Sequence, residues 1–101
     1  MTEPIEVIVQ GDSMWPTFRS GDRLEFTACA EPLTVGAVVL VRHPFKPDVL
    51  MVKRIQSVTD NGRLFVVGDQ PDPTASEDSH NFGAVDPANV VGLWNGVMRR
   101  A

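Results

Sequence analysis

Ser13 and Lys53 are the two residues of this chain whose types and surroundings suit joint chemistry. Ser13 lies in Gly11-Asp12-Ser13-Met14-Trp15-Pro16-Thr17, between a glycine that lets a backbone approach and a proline that stiffens the turn. A serine hydroxyl is a weak nucleophile near neutral pH and needs a base. Lys53 lies in Val49-Leu50-Met51-Val52-Lys53-Arg54-Ile55. In a strand, side chains at i and i+2 share a face, so Lys53 shares its face with Val49, Met51 and Ile55. An amine on an apolar stripe is desolvated, its pKa falls, and the neutral form can accept the serine proton. The polar run Ser76-Glu77-Asp78-Ser79-His80 offers hydroxyls that could orient such a base, as a third group does in any triad. The plainer alternatives are a turn serine bonded to its own backbone, an edge lysine snorkelling to water and a solvated loop.

Strands must position these groups. Ile5, Val7 and Val9 alternate and predict a first strand; Arg23 to Thr27 alternates again, with Leu24 and Phe26 on one face. Gly36 to Arg42 is a continuous apolar run of strand length, as expected of a strand buried on both faces. Val49 to Val58 and Arg63 to Val67 flank Asp60-Asn61-Gly62, and Asn-Gly is a hairpin signal. With Asn61 and Gly62 as the two loop residues, Lys53 falls opposite Gln70 and Arg54 opposite Asp69. Gly68 to Gly83 has loop chemistry, Asp86 to Asn89 reads as a turn, and Val90 to Trp94 as a short last strand. No segment has a persuasive helical period, so the fold class expected is all-β.

Composition narrows the function. The chain has 101 residues, 43% hydrophobic and 22% charged, with a net charge of −4. That fits one globular domain and argues against a nucleic-acid or anionic-membrane surface. The longest apolar run, Ala37 to Val41, is far short of the roughly 20 residues of a membrane span. The N-terminus has early acidic residues and no basic region, unlike a secretory signal. Cys29 is the only cysteine, so no intramolecular disulfide forms, which suits a cytoplasmic location. His43 and His80 have no cysteine beside them, so no metal is expected. Neither histidine carries a local signature of a Ser-His-Asp triad, and there is no G-x-S-x-G elbow.

Four boxes in order resemble the signal peptidase I family of Ser-Lys proteases. Gly11 to Thr17 is similar to its nucleophile box, Ser20-Gly21-Asp22-Arg23-Leu24 to its Gly-Asp box, and Val52-Lys53-Arg54-Ile55 to its lysine box. Gly68-Asp69-Gln70, Ser76-Glu77-Asp78-Ser79-His80 and Gly83 are similar to its last box. The resemblance implies Ser13 as nucleophile, Lys53 as general base, Ser76 as hydrogen-bond partner of the lysine amine and Asp78 as a support of the loop. Gly11, Asp12 and Met14 frame the nucleophile. The fold it implies is a single coiled, mostly antiparallel β-domain of the signal-peptidase and self-cleaving-repressor type over residues 1–101.

Three departures stand out. Gln70 replaces the usual Asn, and His80 the usual Arg, which removes the forked contact that an arginine would make to Asp78. At Gly11 some family members have a serine that donates to the oxyanion, so the hole here must rely on backbone N–H groups, chiefly that of Ser13. Only twelve residues precede Ser13, with no anchoring helix. In this the chain resembles the short branch that matures nickel-type superoxide dismutase by removing a leader from its precursor, as do Asn81 to Val85 and Val90-Val91-Gly92. The partner expected is therefore a precursor protein or peptide substrate, with no cofactor, no nucleic acid and no stable membrane insertion. The alternatives are a signal peptidase acting on secretory precursors, a self-cleaving repressor and a non-catalytic β-domain that binds a peptide by strand addition.

Overall fold

The computed structural model describes residues 3–28, 33–72, 74 and 77–101. Cys29 and Ser76 lie outside the described residues. The strands are β1 (Ile5–Ile8), β2 (Arg23–Ala28), β3 (Val38–Arg42), β4 (Leu50–Val58), β5 (Leu64–Val67) and β6 (Val90–Arg99). They form one sheet in the order β1-β2-β6-β3-β4-β5, and every paired neighbour is antiparallel. The fold is therefore all-β, as the pattern of short apolar runs predicts.

The sheet carries a core on each face. One is built on Met14, Phe18, Leu24, Phe26, Val38 and Leu40. The other is built on Val39, Val41, Ile55, Leu64, Val66 and Val85. Strand β3 contributes alternate residues to both, which is why its sequence is apolar without a break. In β2 only Leu24 and Phe26 point inward to a core, so that strand alternates. Gly92 lets β6 approach β2 closely: a Cβ there would stand 2.9 Å from Phe26 Cβ.

Several expectations need correction. The hairpin between β4 and β5 has three loop residues, not two. Gly62 N–H donates to Thr59 O (2.9 Å) and Thr59 N–H to Arg63 O (2.8 Å), with Gly62 at φ +81°. This is a turn followed by a left-handed glycine. A bulge between Ile55 and Ser57 shifts the pairing again, so Arg54 stands opposite Val67 rather than Asp69, and Lys53 is not opposite Gln70. The last strand does not stop at Trp94 but runs to Arg99. Its Asn95-Gly96 has turn chemistry yet forms an irregularity within the strand, where Asn95 Oδ1 accepts from Val97 N–H (3.0 Å) and Gly96 takes φ +92°. The loop after β5 contains one helical turn, α1 (Ser79–Phe82), and Pro87–Asn89 is a 3-10 turn where a turn is predicted. Four residues are too few to show a helical period.

Candidate active site

The loop from Gly11 to Thr17 is held by contacts from distant parts of the chain. Thr17 Oγ1 donates to Asp69 Oδ2 (2.6 Å), and Asp69 in turn receives Arg54 Nε (2.9 Å) and Nη2 (2.8 Å) in a forked pair. Burial alone would push the Asp69 carboxyl up, but the hydrogen bonds from Arg54 and Thr17 outweigh it and hold the group below the usual carboxylate range. Gln70 N–H donates to Ser13 O (3.0 Å), and Gln70 Nε2 donates to Asp12 O (3.2 Å). Asp12 O also accepts Trp15 N–H (3.0 Å), closing the turn around Ser13. Gly11 takes φ +79°, and its N–H donates to Ser20 Oγ (3.2 Å). Met14 is fully buried and pins the loop into the first core, leaving Ser13 half-buried beside it.

Lys53 is buried, with 3% of its surface exposed, on the β4 face that also carries Met51 and Ile55. Burial pushes its amine below the usual lysine value, against the opposing pull of the Asp78 and Glu77 carboxylates. Ser13, Met14 and Lys53 open onto one cavity of about 470 Å³. Its walls come from β1, at one end of the sheet order, and the start of β4, next to last at the other, so the sheet curls until they face each other. Among the described residues β5 pairs only with Arg54–Val58, so the Leu50 to Lys53 half of β4 presents a free edge to this groove. No hydrogen bond joins Ser13 to Lys53 among the described residues; such pairs are often loose before a substrate closes on them.

The loop after β5 is fastened back on that strand, because Val66 N–H donates to Ser79 Oγ (2.9 Å) in the interior. Asp78 caps α1: its Oδ1 accepts His80 N–H (2.9 Å), and Asn81 Oδ1 accepts Asp78 N–H (3.0 Å). His80 Nδ1 also lies 2.9 Å from Asp78 Oδ1, so a single contact replaces the expected arginine fork. Asp78 is buried and acts on Lys53 through its charge, without lining the cavity wall. Gly11 and Asp12 are exposed and act through the backbone of the loop. The position of Ser76 lies outside the described residues.

Sequence reasoning missed His43 and Glu77, which line the same cavity. His43 is 4% exposed at the end of β3. Its Nδ1 accepts Phe45 N–H (3.1 Å), so the ring proton sits on Nε2, which donates to Glu77 Oε1. Both ring nitrogens are thereby engaged, and neither is free to take a proton from Ser13. The signal available was weak: a histidine before a proline, and a glutamate inside a polar loop. Asp69, Thr17 and Gln70 gain their roles only in the fold, because their contacts span 52 and 58 residues of sequence.

No family model matches the chain, and no curated protein matches it. Among the described residues no helix is long and apolar enough to cross a membrane, and no group of three or more His, Cys, Asp or Glu residues could hold a metal ion.

Proposed function

We propose that this chain is a serine endopeptidase with a Ser13/Lys53 dyad. The observation that carries the reading is the shared cavity: a half-buried serine on a clamped turn and a buried lysine with a lowered pKa open onto one groove. The histidine beside them has no free nitrogen. Lys53, when neutral, takes the proton from Ser13 Oγ as that oxygen attacks the scissile carbonyl. The proton then passes to the leaving amine, the C–N bond breaks and an acyl-serine remains. Water, deprotonated by the same lysine, hydrolyses the ester and restores the serine. The Ser13 N–H is the expected oxyanion donor.

The groove suits an extended peptide, since a strand laid along the free edge of β4 gains backbone hydrogen bonds. Small side chains just before the cut are expected from the resemblance to signal peptidases, and cleavage profiling on a peptide library would show the preference. The substrate favoured by the same resemblance is a precursor with a short leader, that of nickel-type superoxide dismutase, cut in the cytoplasm without a metal. Cleavage would expose a new α-amino group, with a reference pKa of about 7.7–8.0, able to become a metal ligand.

The test is to incubate the protein with that precursor and read the new N-terminus by mass spectrometry. Ser13→Ala should abolish cleavage, and Lys53→Ala should lower it by about 10²–10⁴-fold, as loss of a general base does, with both variants folded. Near-normal turnover by folded Lys53→Ala would end the dyad. A precursor left intact while a secretory preprotein is cut would move the substrate to the signal-peptidase alternative. No reaction of Ser13 with an activity-based serine probe would leave a peptide-binding domain.

A further inference from the structure

The His43–Glu77 pair has no part in the dyad chemistry above, yet it forms a built corner of the same cavity. His43 is buried to 4% exposure, and each of its polar ring atoms has a partner. Its ring packs against Phe82 at 5.0 Å between centroids, so helix α1 and the end of β3 hold it from two sides. A ring fixed in this way has one hydrogen to give, and Nε2 gives it to Glu77. The carboxylate is thus tied to the cavity wall although about half of it, 48% by side chain, faces solvent. Its other oxygen, Oε2, lies 3.7 Å from Lys46 Nζ, on a side chain that is 60% exposed.

We propose that His43 and Glu77 are positioning residues that hold one negative charge on the wall of the cavity that Lys53 lines, where it helps to keep the lysine charged. The proposal rests on the peptidase reading for its meaning, but not for its measurement. An unanchored glutamate on a four-bond side chain would spend most of its time in water, where its field is screened. Anchored by a buried donor, it stays on the wall of the cavity that Lys53 also lines, where it favours the charged amine.

Asp12, beside Ser13, and Asp48, before β4, are exposed and do not line the cavity. Asp78, from the loop before α1, pulls in the same direction as Glu77 but is bound by His80 through its N–H and Nδ1. Arg54, next to Lys53 on β4, is paired with Asp69. Lys46, from the β3–β4 loop, offsets part of the Glu77 charge. From β1 the one charged side chain, Glu6, is engaged by Arg23 on the exposed surface. The hydrogen bond from His43, helped by Lys46, holds the Glu77 carboxyl below its usual range, so it stays charged wherever Lys53 titrates.

The test uses the fact that Lys46 and Lys53 are the only lysines of the chain. The carbon-13 shift of lysine Cε, followed against pH in the whole folded protein, reads the Lys53 midpoint directly. Glu77→Gln keeps the shape and a hydrogen-bond acceptor while removing the charge. It should move the Lys53 midpoint to lower pH and carry the rising limb of kcat/KM with it. Lys46→Met, at an exposed position, should move the midpoint the other way, and leaves a single lysine to observe. A purely structural brace would change stability and leave both midpoints where they were, which overturns the proposal. If the lysine midpoint moves as stated but no substrate is cut by wild type, the pair stands and the peptidase reading falls. If wild type cleaves while neither variant shifts the midpoint, the pair falls alone.

Discussion

Asp69→Ala tests how the Ser13 turn is held. Asp69 accepts three hydrogen bonds, two from Arg54 and one from Thr17, with only 15% of its side chain exposed. Hydrogen bonds to a charged group contribute about 1.5–3 kcal/mol each when buried. Arg54 is 33% exposed and can turn to water once released, so the ion pair must be discounted. A net loss of about 2.5 kcal/mol follows for the cluster. In a domain of this size that lowers Tm by about 10–20 °C. The lowered pKa gives the pH sign. The Asp69 contribution is complete above the unfolded aspartate value of about 3.9 and is lost as pH falls through the still lower folded value. The gap between wild type and variant should therefore be widest near neutral pH and close in acid. Thermal melts across pH measure both, and a double-mutant cycle with Thr17→Val isolates the bond to the Ser13 loop. A Tm drop under about 4 °C, or strictly additive single effects, would refute the clamp.

Three further outcomes are expected. Lys53→Met should gain about 0.5–2 kcal/mol near neutral pH, because wild type binds a proton less readily at Lys53 when folded than when unfolded. The sign requires that advantage to shrink as pH rises toward the ordinary lysine value, which melts at several pH values would show. Gly92→Ala should lose about 1–3 kcal/mol, since its Cβ would meet Phe26 Cβ at 2.9 Å and Thr27 O at 3.3 Å; denaturant unfolding reads it, and an unchanged midpoint contradicts the close approach. Cleavage by wild type should rise with pH as the Lys53 amine loses its proton, and a profile flat through the alkaline range would contradict a lysine base.

The strands were legible where one physical signal dominated. Leu24 and Phe26 alternate because β2 has one inward face, and β3 is apolar throughout because it feeds two cores. Ser13 and Lys53 stood out by residue type and local pattern, and the structure brings both to one cavity. Registers were not legible. An apolar strand such as β3 buries well in either of two adjacent registers, and the bulges at Ile55/Ser57 and in the β2–β6 pairing depend on packing. Asn-Gly marked a hairpin at 61–62 but a strand irregularity at 95–96, because the dipeptide reports tolerance of positive φ and not the direction of the chain. The His43–Glu77 pair escaped notice since its members come from separate elements and need the folded sheet to meet.

The bonds that shape the turn around Ser13 have a consequence for the order of events during synthesis. Thr17 waits for Asp69, and Asp12 waits for Gln70, so the local turn closed by Trp15 N–H on Asp12 O is not clamped to the rest of the fold until most of the chain has been made. Loop closure over such separations is slow compared with local structure. A nascent chain that ends before β5 is complete carries Ser13 and Lys53 but no formed site. The two halves of the groove are thus assembled last, and the turn that carries Ser13 gains its long-range supports only when the sheet has closed.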